Sequence, residues 1–97
     1  WAMVCTDDDG EAVTNAMKRS YFELHRIDLT DAAIDPGGIE FNLPLSKWFR
    51  LFREQCFRLD DYLEIQAPMN KSPDQFSTPW EWARAYPSEQ VFKLTKV

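Results

Sequence analysis

The sequence predicts an α/β fold in which strands flank one amphipathic helix. Residues 39–68 carry this prediction, because their apolar side chains recur first at the two-residue period of a strand, then at helical spacing, then at two residues again. Aromatic residues make up 14% of the chain, and several of them fall on one face of that helix. Such a face needs a broad partner surface, so we expect it to pack on a β-sheet.

The first twenty residues offer weaker signals. The apolar run 1–5 fits the end of a strand or of a helix, and its length does not decide between them. Residues 6–10 read TDDDG and predict an acidic turn. Three adjacent aspartates also suggest calcium, but the spaced oxygen ligands and the distal glutamate of such a site are missing. Residues 11–20 predict a short helix with Ala12 and Ala16 facing inward.

Residues 24–29 predict the first strand, although the aromatic-rich segment from Tyr21 fits neither period cleanly. A turn-rich linker follows at 30–38 and ends in the sequence Asp-Pro-Gly-Gly. The next strand is predicted at 39–43, half-buried because Ile39, Phe41 and Leu43 alternate with polar residues. A hairpin between the two strands is expected.

The amphipathic helix is predicted at about 45–56. Pro44 ends the preceding strand because it lacks an N–H, and Ser46 is a candidate N-cap. The helix is expected to end near Gln55 or Cys56, where the apolar period returns to two. The residues predicted to share its apolar face are Leu45, Trp48, Phe49, Phe52 and Cys56.

A third strand is predicted at 60–67, and Pro68 closes it. The adjacent carboxylates Asp60 and Asp61 are expected in the helix-to-strand turn at its start; acid–base chemistry is the alternative, but solvated capping is favoured. Residues 69–79 predict an exposed loop, and residues 80–85 predict a helical turn with Pro79 at its first position. A last strand at 91–97 is expected beside the third.

Composition excludes some classes of function. The net charge of −5 argues against nucleic acid as a main partner. Arg50 and Arg53 lie on the predicted helix and Arg58 just after it, and a solvated face is favoured for them over a binding patch. No apolar run approaches the ~20 residues of a membrane span. His25, the only histidine, is a candidate base; a packed or surface position is favoured, since no nucleophile or carboxylate can be paired with it from sequence.

Three segments together resemble a known family. They read YFELHRID from residue 21, GGIEFNLPLSKWFRLFREQCFRLDDYLEIQAP from residue 37, and EWARAYPSEQVFKLTK from residue 81. The combination resembles the C-terminal part of class I S-adenosylmethionine-dependent methyltransferases of the bacterial small-molecule type. One position departs from the family: Cys56 stands where a glycine usually precedes Phe57. Glycine there suits the left-handed conformation that closes a helix, so Cys56 implies strain or a shifted helix end.

The resemblance implies that residues 1–97 form one partial domain, the C-terminal fragment of a doubly wound, Rossmann-like sheet. Its last two strands would form an antiparallel pair at the sheet edge. The parent enzyme would use S-adenosylmethionine and a small-molecule methyl acceptor in the cytoplasm, where Cys5 and Cys56 would be free thiols. The oligomeric state stays open.

No catalytic, cofactor-binding or metal residue is assigned in this chain. A glycine-rich turn between strand and helix would hold the donor, but Gly37 and Gly38 precede a strand, so no cofactor is expected to bind this chain alone. The resemblance implies four residues as linings of the acceptor pocket, with a core position as the alternative for the first two. These candidates are Tyr21, Phe22, His25 and Arg26.

Two hypotheses of function follow. The first is the C-terminal region of a small-molecule methyltransferase, inactive by itself, which predicts a free sheet edge where further strands dock. The second is a stand-alone α+β interaction module that recruits a partner through the exposed aromatic residues Trp80, Trp82 and Phe92.

Overall fold

The chain is α/β, with two small antiparallel sheets and two helices. A computed structural model describes residues 1–6, 12–32, 36–74 and 77–97. The predicted acidic turn at 6–10 therefore falls outside the described residues, apart from Thr6. The elements are β1 (Arg26–Asp28), β2 (Ile39–Phe41), α1 (Leu45–Glu54), β3 (Phe57–Ile65), α2 (Trp80–Ala85) and β4 (Glu89–Lys96).

The first sheet is the predicted hairpin. Strand β1 pairs antiparallel with β2, with Ile27 opposite Glu40. Gly38, at φ 75°, supplies the left-handed turn conformation, and its carbonyl accepts the Leu29 N–H at 2.9 Å. Only β1 contributes a buried residue, Ile27. The prediction of a half-buried β2 is wrong, because all three of its residues are exposed and Phe41 is 66% exposed. Alternation shows which side chains share a face of the strand, but it does not show whether another element covers that face. No described element covers the face that carries Phe41.

Helix α1 begins directly after Pro44, which occupies the N-cap position and gives no side-chain hydrogen bond. The prediction of Ser46 as N-cap is therefore wrong. The first N–H groups of a helix lack partners within it, and here a distant side chain supplies one. The Tyr21 hydroxyl oxygen accepts the Leu45 N–H at 2.8 Å.

The apolar face of α1 packs on the second sheet, as its spacing predicted. We call the five rings at this contact the aromatic cluster. Phe52 meets Phe92 edge to face at 5.0 Å, and Phe49 meets Tyr62 at 6.2 Å in the same geometry. No residue of α1 is fully buried, so the helix shields one face of the sheet while its own flanks stay open. The cluster consists of Trp48, Phe49, Phe52, Tyr62 and Phe92.

The end of α1 is strained at Cys56. Its φ is 58°, and it is the one non-glycine residue with a positive φ in the described part of the chain. The Cys56 N–H donates to the Arg53 carbonyl at 3.1 Å, which closes the last turn of the helix. A Cβ in this conformation crowds the backbone, so the implied strain at this position is confirmed.

Strands β3 and β4 form the second sheet, antiparallel from Phe57 opposite Lys96 to Ile65 opposite Glu89. Both begin earlier than predicted. The register shifts between Leu59 and Asp61, so the expectation of Asp60 and Asp61 in a turn is wrong: they lie within β3 because an irregularity accommodates the extra residue.

Asp60 has a structural role at this irregularity. Its carboxylate accepts hydrogen bonds from the Thr95 hydroxyl and from Arg58 Nε, the latter at 2.7 Å. These two bonds hold the pKa of the Asp60 carboxyl below its usual value. Asp61 lies 3.7 Å from Lys93 Nζ across the strand pair.

The predicted helix at 11–20 is wrong for its described residues, 12–20, which contain no helical turn. Their N–H groups bond to distant carbonyls: Val13 donates to Ser77 at 2.8 Å, and Lys18 donates to Val4 at the same distance. Two small groups of buried side chains pack around this segment. They are Val4, Leu24 and Ile27 in one group, and Cys5, Val13 and Trp82 in the other.

Helix α2 has the predicted bounds, but Pro79 is its N-cap rather than its first residue. The Asp74 carboxylate accepts the Trp80 N–H at 2.9 Å and so satisfies an orphan donor. In the loop before α2, residues 69–74 are mostly exposed and residues 77–79 are partly buried. Within the described ranges, neither helix has the length or the apolar character needed to cross a bilayer.

Removing the largest ring of the aromatic cluster is expected to destabilise the chain. Trp48→Ala should lower the free energy of unfolding by about 2–3 kcal/mol, less than a fully buried aromatic residue loses, because Trp48 is half-buried. Urea denaturation measures the loss. Phe22→Ala, at a side chain that is 76% exposed, should change stability by under about 0.5 kcal/mol. Equal effects of the two changes would contradict the packing of α1 on the sheet.

Relieving the strain at residue 56 is expected to stabilise the chain. Cys56→Gly should raise the free energy of unfolding by about 0.5–1 kcal/mol, since glycine adopts a left-handed conformation without a Cβ clash. Cys56→Ala is the matched control and should give no gain, because alanine keeps the Cβ. Paired thermal melts under reducing conditions measure both variants. A lower melting temperature for Cys56→Gly would show that the backbone there is not left-handed.

Candidate functional site

The four candidate pocket residues do not form one site. Tyr21 is half-buried and lines the cleft described below. Phe22 is 76% exposed and touches Tyr21 edge to face at 5.3 Å. His25 and Arg26 are exposed and line a separate, shallow depression of about 190 Å³. The His25 ring lies 6.0 Å from the ring of Phe41, and no described contact pairs it with a nucleophile.

A cleft of about 350 Å³ lies where the N-terminal residues meet the second sheet. We call it the aromatic cleft. It opens beside the first turn of α1, at the end of the β3–β4 pair that the helix leaves uncovered. The aromatic and acidic residues that line it are Trp1, Tyr21, Glu40, Tyr62, Glu64 and Glu89.

The floor of the cleft is the sheet face that also carries the aromatic cluster. Tyr62 and Glu64 are two residues apart in β3, so their side chains project from the same face. Gln90 lies opposite Glu64 in the register. Its side-chain oxygen Oε1 accepts a 3.0 Å hydrogen bond from the Tyr62 hydroxyl. Tyr62 thus connects the cluster to the cleft, because its ring also lies 5.1 Å from the ring of Phe92.

The opposite wall is built by aromatic stacking. The ring of Trp1 stacks on the ring of Tyr21 with centroids 5.8 Å apart and planes at 15°. The hydrogen bond from the Leu45 N–H to the Tyr21 hydroxyl fixes the far end of the Tyr21 ring. One side chain therefore caps α1 and shapes the cleft.

The cleft carries charges of both signs, because Trp1 contributes its α-ammonium group, which interacts electrostatically with Glu64. Glu40, Glu64 and Glu89 line it, and the described lining contains no lysine, arginine or histidine. Within the part of the chain that the structure describes, none of these three carboxylates is engaged in an ion pair. Burial raises the pKa of the Tyr62 phenol, and the negative charge of Glu64 adds to the effect.

These groups can contact a ligand, and the carboxylates among them can also accept a proton. Ser88 lines the cleft, but among the described lining residues there is no histidine or lysine to activate its hydroxyl. No group of three or more metal-ligating side chains is placed to hold an ion in the described residues. What the cleft presents to a ligand is aromatic faces and carboxylate oxygens.

A second cavity of about 350 Å³ lies on the other side of the N-terminal residues. Its lining is mainly apolar and includes Cys5, Met17, Trp82 and Tyr86. Cys5 is a buried free thiol beside Trp82, whose indole N–H donates to the Thr14 carbonyl at 3.1 Å. This cavity carries no charged side chain in its described lining.

Comparison of the chain with protein-family models, with curated proteins and with solved structures found no match in any of the three.

Sequence reasoning found one wall of the cleft and missed the acidic one. The spacing of Tyr62 and Glu64 in a predicted strand was a usable signal, since alternation puts both on one face. Glu40 carried no such signal, because it joins the cleft from the other sheet. Which residues of two separate sheets meet is set by long-range packing.

Loss of the Tyr21 hydroxyl is expected to weaken the start of α1. Tyr21→Phe keeps the ring stack with Trp1 and leaves the Leu45 N–H without its acceptor, which should cost about 1 kcal/mol. Hydrogen exchange at the Leu45 amide should become faster. Tyr86→Phe, in an exposed side chain, is the control and should change neither quantity. An unchanged exchange rate of the Leu45 amide in Tyr21→Phe would show that the Tyr21 hydroxyl does not cap α1.

Proposed function

We propose that this chain is the C-terminal region of a class I S-adenosylmethionine-dependent methyltransferase that acts on a small molecule. In this proposal the preceding part of the enzyme holds the donor, and the present residues complete a doubly wound sheet and wall the acceptor pocket. Methyl transfer depends mainly on positioning the acceptor in line with the sulfonium group. A wall without catalytic side chains is therefore sufficient for this region.

The observation that carries the proposal is the backbone at Cys56. The resembling family has glycine at this position, and the φ of 58° is the conformation for which glycine is favoured. The sequence resemblance and the backbone thus point to the same helix ending. The residue at this position is Cys56, so the glycine that usually marks such a helix end is missing from the sequence. Replacing the usual glycine by Cys56 in a turn that the family shares would produce the strain seen at this position, because only the glycine lacks a Cβ.

The arrangement of the second sheet gives further support. Helix α1 leads into β3, and β3 pairs antiparallel with the final strand β4, the order that the resemblance implies for the end of the sheet. In the described residues no further strand pairs with either outer edge of this sheet. Free edges are available for the additional strands that the proposal requires.

The alternative, an interaction module with exposed aromatic residues, has less support. Trp82 is 5% exposed and hydrogen-bonded, and Phe92 belongs to the aromatic cluster. Of the three residues invoked for partner binding, only Trp80 stays available, and it is half-buried with its indole N–H bonded to the Pro68 carbonyl.

The proposal is tested by extending the chain. We expect the reading frame before Trp1 to encode a strand followed by a glycine-rich turn, and the longer protein to bind S-adenosylmethionine with micromolar affinity by calorimetry. The 97-residue chain is the matched control and should show no binding, since it lacks the donor site. Micromolar binding by the short chain, or an extended protein that binds no donor, would refute the proposal.

A further inference from the structure

The two outer edges of the second sheet differ in regularity. Strand β3 carries the irregularity between Leu59 and Asp61, where the extra residue interrupts the ladder. An irregularity of this kind twists an edge and protects it from pairing with another strand. Strand β4 keeps an unbroken register from Glu89 to Lys96 and contains no proline. Helix α1 lies over β3 and leaves the edge of β4 open, so β4 is the edge that can accept a further strand.

The backbone groups that β4 turns outward follow from its pairing with β3. The Val97 N–H donates to the Cys56 carbonyl at 2.9 Å, so the odd-numbered residues of β4 direct their N–H and C=O groups at β3. The alternate residues Gln90, Phe92 and Leu94 direct theirs away from it. In the described residues, no backbone hydrogen bond from another element reaches these three. A row of unpaired groups is a template for another strand.

Symmetry limits how a second copy of the chain can pair with this edge. When a two-fold axis relates two antiparallel β4 strands, each side chain must lie on the same face of the joined sheet as the side chain opposite it. Their outward backbone groups must also meet. Only registers that oppose residues an even number of positions apart satisfy both conditions. Each allowed register therefore sets one residue of β4 opposite its own copy.

Charge selects the register that is centred on Val91. This register sets Glu89 opposite Lys93 of the second copy, and the symmetry repeats the pair on the other side of the axis. Opposite charges directly across a strand pair stabilise it, and like charges destabilise it. The register centred on Lys93 opposes two lysines, and the register centred on Phe92 sets Val91 opposite Lys93. No other allowed register opposes Glu89 to a lysine of β4.

The same register extends rows of side chains that the ribbon already contains. On the face away from the aromatic cluster, Leu63 lies opposite Val91, and Asp61 lies opposite Lys93 at 3.7 Å. Joining two copies makes one apolar row from Leu63 and Val91 of both chains. Because these two side chains are about 40% exposed, the added neighbours remove apolar surface from water. In the next row Asp61, Lys93 and Glu89 of the second copy alternate in charge.

We propose that the β4 edge is an interface between two copies of this chain, in which residues 88–94 of both copies pair antiparallel about an axis at Val91. The two ribbons then form one four-stranded sheet. Pro87 ends the paired segment because it has no N–H. An interface this short should give a weak dimer, with a dissociation constant on the order of 100 μM. The inference does not rest on the proposed function, and a further strand of a longer enzyme would compete for the same edge.

Sedimentation equilibrium of the 97-residue chain measures the association, under reducing conditions that keep the exposed Cys56 from forming disulfides. We expect monomer at about 5 μM and mainly dimer at about 1 mM. Hydrogen exchange locates the interface. The Gln90 and Phe92 amides should exchange more slowly as the protein concentration rises. The Val91 and Lys93 amides should not respond, because they already face β3.

Charge variants identify the register. Glu89→Lys sets like charges opposite each other at both symmetric pairs and should weaken association at least about fivefold. Adding Lys93→Glu exchanges the two charges, restores opposite signs across the axis and should recover most of the lost affinity. Glu54→Lys, the same change of charge at the exposed end of α1, is the control and should associate as the original chain does. The two single variants decide the test even where the exchange weakens the fold through Asp61.

Each outcome decides the matter. A chain that stays monomeric at the highest concentration, unchanged exchange of the Gln90 and Phe92 amides, or equal association of Glu89→Lys and Glu54→Lys would overturn the proposal. The donor-binding test of the extended protein is independent, because none of these measurements requires S-adenosylmethionine. A dimer of this chain with no donor binding by the extended protein would refute the methyltransferase and leave the interface standing, and the converse result would do the opposite.

Discussion

The contact between α1 and the β3–β4 pair is the interaction on which the rest of the structure depends. A two-stranded ribbon alone is marginally stable in water, and here its covered face gains the rings of Trp48, Phe49 and Phe52. Each apolar side chain removed from water contributes roughly 1.5–3 kcal/mol when burial is complete, and these rings are half-buried. The aromatic cleft lies at the end of the ribbon that the helix leaves uncovered.

Tyr21 connects this unit to the N-terminal residues. Its hydroxyl accepts from the first residue of α1, and its ring stacks on Trp1. It is also packed against the buried group formed by Val4, Leu24 and Ile27. One side chain therefore joins the first hairpin, the helix and the cleft wall, so the shape of the cleft wall and the start of the helix depend on the same phenol.

Local patterns were sufficient where local physics decides the structure. The hairpin and the apolar face of α1 are set by alternation, helical spacing and turn residues, and both were predicted. The last two strands were expected side by side, but their antiparallel sense was implied by the family resemblance rather than by a local pattern. Prediction failed where a distant partner decides. The N-cap of α1 is Pro44 rather than Ser46, and the Leu45 N–H bonds to the hydroxyl of Tyr21, 24 residues away. Val13 and Lys18 donate their N–H groups to the carbonyls of Ser77 and Val4 instead of forming a helix. The acidic wall of the cleft was missed for the same reason, since it assembles from both sheets.

The face of the second sheet that points away from the aromatic cluster is mixed rather than apolar. Leu63 and Val91 lie opposite each other on this face, and both are about 40% exposed. Asp61 and Lys93 are the next opposed pair on the same face, and their charged groups lie 3.7 Å apart. Because an exposed apolar strand pair promotes association, a charged pair beside the apolar one limits the continuous apolar area and disfavours such association through the face.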